Sequence, residues 1–172
     1  MISKIDPNVI REMSYGLYVL TSQDKDFLNG QIINSVKQVT YDPVRLAVTV
    51  SKKNLTHELI LKSKVFAVSV LDNSTPTSFF QLFGFMSGRD VDKLARVEYK
   101  EGVTGCPVMV ENALSVVEAV VFKEVDLGSH TIFIGNAMAS EVLREGHSLT
   151  YRYYQEELNG RISKNAPTYI PA

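Results

Sequence analysis

Two long β-rich runs, Ala113 to Val125 and Thr131 to Val142, flank the quartet Asp126-Leu127-Gly128-Ser129. Valine, isoleucine, threonine and phenylalanine crowd both runs, and the glycine-containing quartet between them predicts an antiparallel hairpin. Shorter strand patterns precede it: Leu17 to Ser22, Gln31 to Val39, Arg45 to Val50 and Val65 to Leu71. Helical patterns interrupt them at Leu55 to Ser63 and from Thr75-Pro76 through about Phe83, with a last short helix at Tyr151 to Leu158. In the second, Thr75 reads as the cap and Pro76 as the first helical residue. Asp6-Pro7 opens a further short helix that stops near Gly16, and Gln23 to Gly30, ending in Asn-Gly, reads as a turn. Strands and helices do not alternate as βαβα units, which argues against a doubly wound sheet. Many strands, hairpin turns and a few inserted helices predict a mainly β antiparallel barrel.

With 172 residues, 45% of them hydrophobic, the chain can bury one sizeable core, and residues 1–172 read as a single domain. A net charge of -1 with 22% charged residues indicates no general affinity for nucleic acid or anionic membrane. No apolar run reaches the roughly 18 residues that span a bilayer. Charge and proline interrupt MISKIDPNVIREM, so it does not read as a secretory signal. A lone cysteine makes no internal disulfide, and a reducing cytoplasm is the expected compartment.

The stretch from Asn29 to Ile60 carries the most chemical information. Two apolar runs turn about Asp42-Pro43, and the second breaks into Ser51-Lys52-Lys53-Asn54-Leu55-Thr56 before a helix. The first N–H groups of a helix lack intrahelical partners and its dipole favours an anion there. Lysines, hydroxyls and an amide at that point suit a phosphate. They equally suit a simple helix cap by Asn54 or Thr56 with solvated lysines, and on this window the two readings balance.

Other chemistry finds little support. The chain lacks G-x-S-x-G, a Walker loop, G-x-G-x-x-G and C-x-x-C. His57, His130 and His147 form no i, i+4 ligand pair, so no metal site is expected. Cys106, between Gly105 and Pro107, has no basic neighbour and reads as a buried or turn residue. Tyr151, Tyr153 and Tyr154, accompanied only by Arg152, read as a packed edge or interface rather than a base-stacking surface.

Asn29-Gly30, Asn34-Ser35 and the Arg45 to Val50 strand leading into Ser51-x-x-Asn54-x-Thr56 together resemble the flavin reductase-like family of split-barrel flavoproteins. Further matches follow in order: Phe83-Gly84-Phe85, Ser87 to Lys93, Thr104-Gly105-Cys106-Pro107 and Gly128 to Gly135. Lys164-Asn165-Ala166-Pro167-Thr168-Tyr169 is similar to the flavoredoxins and to the flavin domain of rubredoxin-fused flavin reductases.

This resemblance implies a split, Greek-key barrel that binds FMN in preference to FAD. It implies that Ser51, Lys53, Asn54 and Thr56 anchor the phosphate. Gln31, Ile33, Asn34 and Ser35 would grip ring and ribityl chain, largely through their backbone. Lys93 would stand near the pyrimidine edge and stabilise reduced, anionic flavin, or else be a surface lysine paired with Asp90 or Asp92. His130 would lie near the open flavin face and contact nicotinamide, or simply pack on its strand. Ile32 and Ser129 stand where many relatives carry threonine and aspartate, so those side-chain contacts do not transfer.

The activity implied is hydride transfer from NAD(P)H to flavin, with the reacting atoms roughly 3–3.5 Å apart, in a chain that needs no conspicuous catalytic acid. Electrons would pass on to a rubredoxin-like protein or a diffusible acceptor such as free flavin. With one cysteine in this sequence, the rubredoxin would be a separate molecule. A homodimer with its flavin sites at or beside the subunit interface is implied, the apolar runs Val116 to Phe122 and Ile132 to Ala139 being candidates for contact. The Lys164 to Tyr169 segment is expected to order only by docking on the barrel or the partner near the cofactor. The rival classes are a non-catalytic flavin-binding or storage protein and an oligonucleotide-binding barrel, which would require a basic, aromatic groove.

Overall fold

The computed structural model describes residue 6, residues 12–25 and residues 27–169. The helix expected from Asp6-Pro7 falls mostly outside these residues. Four strands come first, β1 (Tyr18–Asp24), β2 (Phe27–Ile33), β3 (Val36–Tyr41) and β4 (Val44–Ser51), followed by α1 (Leu55–Ser63) and β5 (Val65–Leu71). Then come α2 (Thr77–Phe85), a 3-10 turn at Leu94–Arg96, and the short pair β6 (Tyr99–Glu101) and β7 (Pro107–Met109). The long strands β8 (Ala113–Asp126) and β9 (His130–Val142) precede α3 (Tyr151–Glu156).

Seven strands form one antiparallel sheet in the order β2-β1-β5-β8-β9-β4-β3. Its two edges, β2 and β3, are consecutive in the chain, so the sheet curls until the Asn34-Ser35 link spans the seam. Ser35 ties that link to β4: Thr49 N donates to its carbonyl at 3.2 Å, and its hydroxyl donates to Thr49 O at 2.9 Å. The seam is the split in the barrel.

The expected β8–β9 hairpin forms, and irregular pairing between Glu118 and Ala119 and between Val121 and Lys123 bends it, as bulges do. Leu46, Val48 and Val50 of β4 point alternately inward with Leu20, Ile60, Phe66 and Phe133. Gly135 admits the Phe66 ring, since a Cβ there would lie 2.7 Å from it. On β1, Leu20 joins that core while its neighbour Val19 joins a second one, built from Phe79, Phe80 and Phe83 of α2 with Leu71, Leu149 and Tyr154. Both faces of β1 are therefore covered, which explains its continuous burial.

Three local expectations are corrected. Asn29-Gly30 lies inside β2 and not in a turn, the hairpin turning instead at Lys25, whose φ is +57°. The glycine is needed for close approach, because a Cβ would meet Thr21 at 3.0 Å and the Phe83 ring at 3.1 Å. Gln31 to Val39 is two strands broken at Asn34-Ser35. Thr75 does not cap α2: Pro76 holds that position, and the Thr75 hydroxyl donates back to Asp72 O at 2.6 Å.

Candidate active site

Residues of β2, β4, α1 and α2 surround a cavity of about 610 Å³ at the seam, a size ordinary for a cofactor site. Ser51 ends β4, and Asn54 N donates to Ser51 O at 3.1 Å, turning the chain so that α1 starts at the cavity wall. The open first turn of α1 directs its dipole there. Asn54 occupies the N-cap position but makes no side-chain cap bond. Its amide donates to Gln31 Oε1 at 3.1 Å and its Oδ1 accepts from Asn165 Nδ2 at 2.9 Å. Thr56, fully buried, accepts from Asn29 Nδ2 at 2.8 Å. The capping roles considered for these two residues are thus not the ones they perform.

The lysine pair divides. Lys52 turns outward to Asp126 at 2.7 Å, and Lys53 lines the cavity. Lys93 is 4% exposed, and its Nζ donates to Gly30 O at 2.9 Å and lies 5.7 Å from the Phe83 ring centroid. Burial pushes its pKa down to about 8. The surface pairing with Asp92 does not occur: Asp92 instead accepts from the N–H groups of Leu94 and Ala95.

Gly88 approaches Asn29 so closely that a Cβ would sit 2.0 Å from its Oδ1. Beside it, Arg89 forks onto Glu58 of α1, with contacts of 2.5 and 3.2 Å, and so fastens the 86–92 loop against that helix. Residues 161–167 close another side of the cavity.

Among the described lining residues, Lys53, Lys93, Arg161 and Lys164 are cations and there is no carboxylate, in a chain carrying 19 acidic residues. Phe80, Phe83, Phe85, Ile32 and Leu55 supply apolar wall. Asn34 adds a buried Oδ1 that has no hydrogen-bond partner. An anionic ligand with a flat apolar body and polar edges fits this donor set, and FMN is such a molecule.

Known proteins resemble this chain over most of its length. Residues 10–160 match the flavin reductase like domain. The chain belongs to the flavin reductase-like family. A ferric-chelate reductase (NAD(P)H) of Archaeoglobus fulgidus is 41% identical over 166 residues, covering 96% of this chain and 98% of that one. A high molecular weight rubredoxin of Moorella thermoacetica is also 41% identical, over 165 residues, covering 96% and 72%. A flavoredoxin structure from Methanosarcina acetivorans superposes with a TM-score of 0.73 at 23% identity, covering 83% of this chain and 75% of that one, which is likeness of fold.

Of the residues singled out by the family resemblance, Gln31, Ile33, Asn34, Ser51, Lys53, Asn54, Thr56 and Lys93 all line this cavity. Ser35 and His130 do not line it. Ser35 braces the seam, as described. His130 sits opposite Ser51 in the β4–β9 register, its Nδ1 2.9 Å from Ser129 Oγ and its Nε2 3.2 Å from Asn165 O. A carbonyl only accepts, so Nε2 donates and a neutral ring receives the serine proton at Nδ1.

Sequence reasoning missed Asn29, Gly88, Tyr151 and Tyr154 as cavity residues. Gly88 stood within the recognised Ser87 to Lys93 element, but its contact with Asn29 has no sequence signal. Cys106 is fully buried, its pKa pushed up to about 11 by burial, which suits an inert thiol. Among the described residues no three His, Cys, Asp or Glu side chains are grouped for a metal, and no helix is long and apolar enough to cross a membrane.

Proposed function

We propose that the cavity holds FMN, with Ser51, Lys53, Asn54, Thr56 and the first turn of α1 at its phosphate, and Gln31, Ile33 and Asn34 along its ring and ribityl chain. The protein is an NAD(P)H-dependent flavoprotein oxidoreductase of the flavin reductase-like family. The observation that carries the residue assignment is the cavity's lining: four cations and no carboxylate among the described residues, with the phosphate loop at one end. When bound, FMN accepts a hydride from NAD(P)H and releases its electrons one or two at a time.

The chain's own residues orient and tune. Lys93, when charged, favours negative charge in the cavity. Asn34 Oδ1 offers an acceptor to a ring N–H. Ser35 holds the β2–β3 link in place from behind. His130 positions the 161–168 segment through Asn165 and thereby shapes the nicotinamide approach.

A hydride carries two electrons, so one NAD(P)H reduces two ferric centres, yielding NAD(P)+, two ferrous centres and one proton. The relatives named ferric-chelate reductase and high molecular weight rubredoxin support a ferric acceptor, a rubredoxin-like protein among them. We place the working protein in the cytoplasm as a homodimer, residues 1–172 acting as one unit.

The deciding experiment is an anaerobic titration of the FMN-loaded protein with NADH and with NADPH. Bleaching of the yellow absorbance by either nucleotide is expected. FMN that stays bound and is reduced by dithionite but by neither nucleotide would make the protein a flavin-storage protein instead.

A further inference from the structure

Residues 161–168 stand outside the part of the chain that matches the family domain, yet they wall the cavity. They belong to neither helix nor strand. Two short turns shape them, with Ala166 N donating to Ser163 O and Tyr169 N to Ala166 O, each at 3.0 Å. What fixes their position is a set of bonds from the site itself. Asn165 Nδ2 donates to Asn54 Oδ1 at 2.9 Å, and His130 Nε2 donates to Asn165 O at 3.2 Å. Asn34 Nδ2 donates to Thr168 Oγ1 at 2.8 Å. At the near end, Tyr154 OH donates to Arg161 O at 3.0 Å.

The partners come from both banks of the seam: Asn34 from the β2–β3 link, Asn54 from the phosphate loop and His130 from β9. A segment tied to both banks walls one side of the cavity. A molecule held against that wall contacts a segment whose position depends on these ties.

We propose that residues 161–168 are a strap that retains the flavin in this protein, with Asn165 and Thr168 as its positioning residues. This rests on the reading of the cavity as a flavin site. The strap makes the flavin a resident cofactor rather than a substrate that is reduced and released. Electrons then leave by transfer to an external acceptor at the cavity mouth, while the flavin stays through successive turnovers. Arg161 and Lys164 add positive charge to the same wall, which favours a retained anion over a neutral ring.

The test uses the protein of 172 residues. Hydrogen exchange of residues 161–168 is followed with and without saturating FMN, and slower exchange with FMN is expected. Dissociation rates of FMN and of riboflavin are then read from recovery of flavin fluorescence for the native protein and for Asn165→Ala combined with Thr168→Ala. Losing two side-chain ties should speed release of both ligands by roughly ten- to a hundredfold. Unchanged exchange on FMN binding would overturn the strap, and so would unchanged release from the double variant. Faster release confined to FMN would assign the segment to the phosphate and overturn the retention role. A native protein that binds neither flavin sinks the flavin reading itself, an outcome distinct from the others.

Discussion

Lys93 is an amine enclosed by a carbonyl and an aromatic ring, and its response to pH follows from that. In the unfolded chain it keeps its proton to about 10.5, and in the flavin-free fold only to about 8. Between those values the unfolded state holds more protons, so this residue makes the fold more stable as pH rises through the window, and less stable below it. Lys93→Met removes the term. The stability advantage of the variant over the flavin-free native protein, read from urea midpoints, should be largest below pH 8 and shrink towards pH 10.5. An advantage that does not change with pH would place the lysine's proton elsewhere. Lys53 has a different part. Its loss by Lys53→Ala should weaken FMN by about 1.5–3 kcal/mol, roughly ten- to a hundredfold, and leave riboflavin unaffected. Equal losses for both ligands, measured by fluorescence quenching, would count against a phosphate at that loop.

Among the elements, β8 carries a buried carboxylate with a structural task. Glu118 is 5% exposed and accepts from Val103 N at 3.1 Å, Thr104 N at 2.9 Å and Thr104 Oγ1 at 2.6 Å. It thereby fixes the turn between β6 and β7, against which Gly102 packs so closely that a Cβ would lie 2.3 Å from Glu118 Oε2. Glu118→Ala should lower stability by about 3 kcal/mol while FMN affinity stays unchanged, since the cavity lies elsewhere. Urea unfolding and a flavin titration check both halves. Neither β6 nor β7 was foreseen: three residues each, Tyr99–Glu101 and Pro107–Met109 are too short to show a period, and a glutamate on another strand holds their turn. The long strands were legible because thirteen or fourteen residues in one pattern leave little ambiguity, as β8 and β9 demonstrate. The phosphate loop was legible through local chemistry, a strand end, hydroxyls and lysine before a helix. The ties of Asn54 to Gln31 and Asn165, or of Asn29 to Thr56, join residues remote in sequence and were not.

For the molecule as a whole, exposed apolar side chains are spread over many elements, and some of them stand on the neighbouring strands β3, β4, β9 and β8. Tyr41 is 85% exposed, Phe122 54% and Met138 61%, and Val39 and Val44 stand on the same β3–β4 ribbon. Arg45 lies over the Phe122 ring at 4.0 Å and links β4 to β8. Within Val116 to Phe122, Val116, Glu118 and Ala119 are buried, Val117, Val120 and Val121 half-buried, and Phe122 alone is exposed, so the surface this run offers a partner is narrow. A lasting dimer buries on the order of 2,000 Å², and these strands are expected to contribute part of it. Sedimentation over a dilution series should show a dimer for the native protein and a monomer for Phe122→Glu. A native protein that sediments as a monomer throughout would refute it.

The seam has a consequence for how the protein comes into being. The sheet pairs β1 with β5 and β4 with β9, so the barrel closes only after distant parts of the chain have been synthesised. Pairings of that range close slowly. The cavity comes last, because residues 161–167 must settle on walls that β2 and α1 supplied much earlier. A nascent chain therefore lacks one wall of the flavin cavity. The barrel must stand on its hydrophobic cores alone, and the yellow colour, when it appears in a refolding experiment, should trail the recovery of β-structure instead of guiding it.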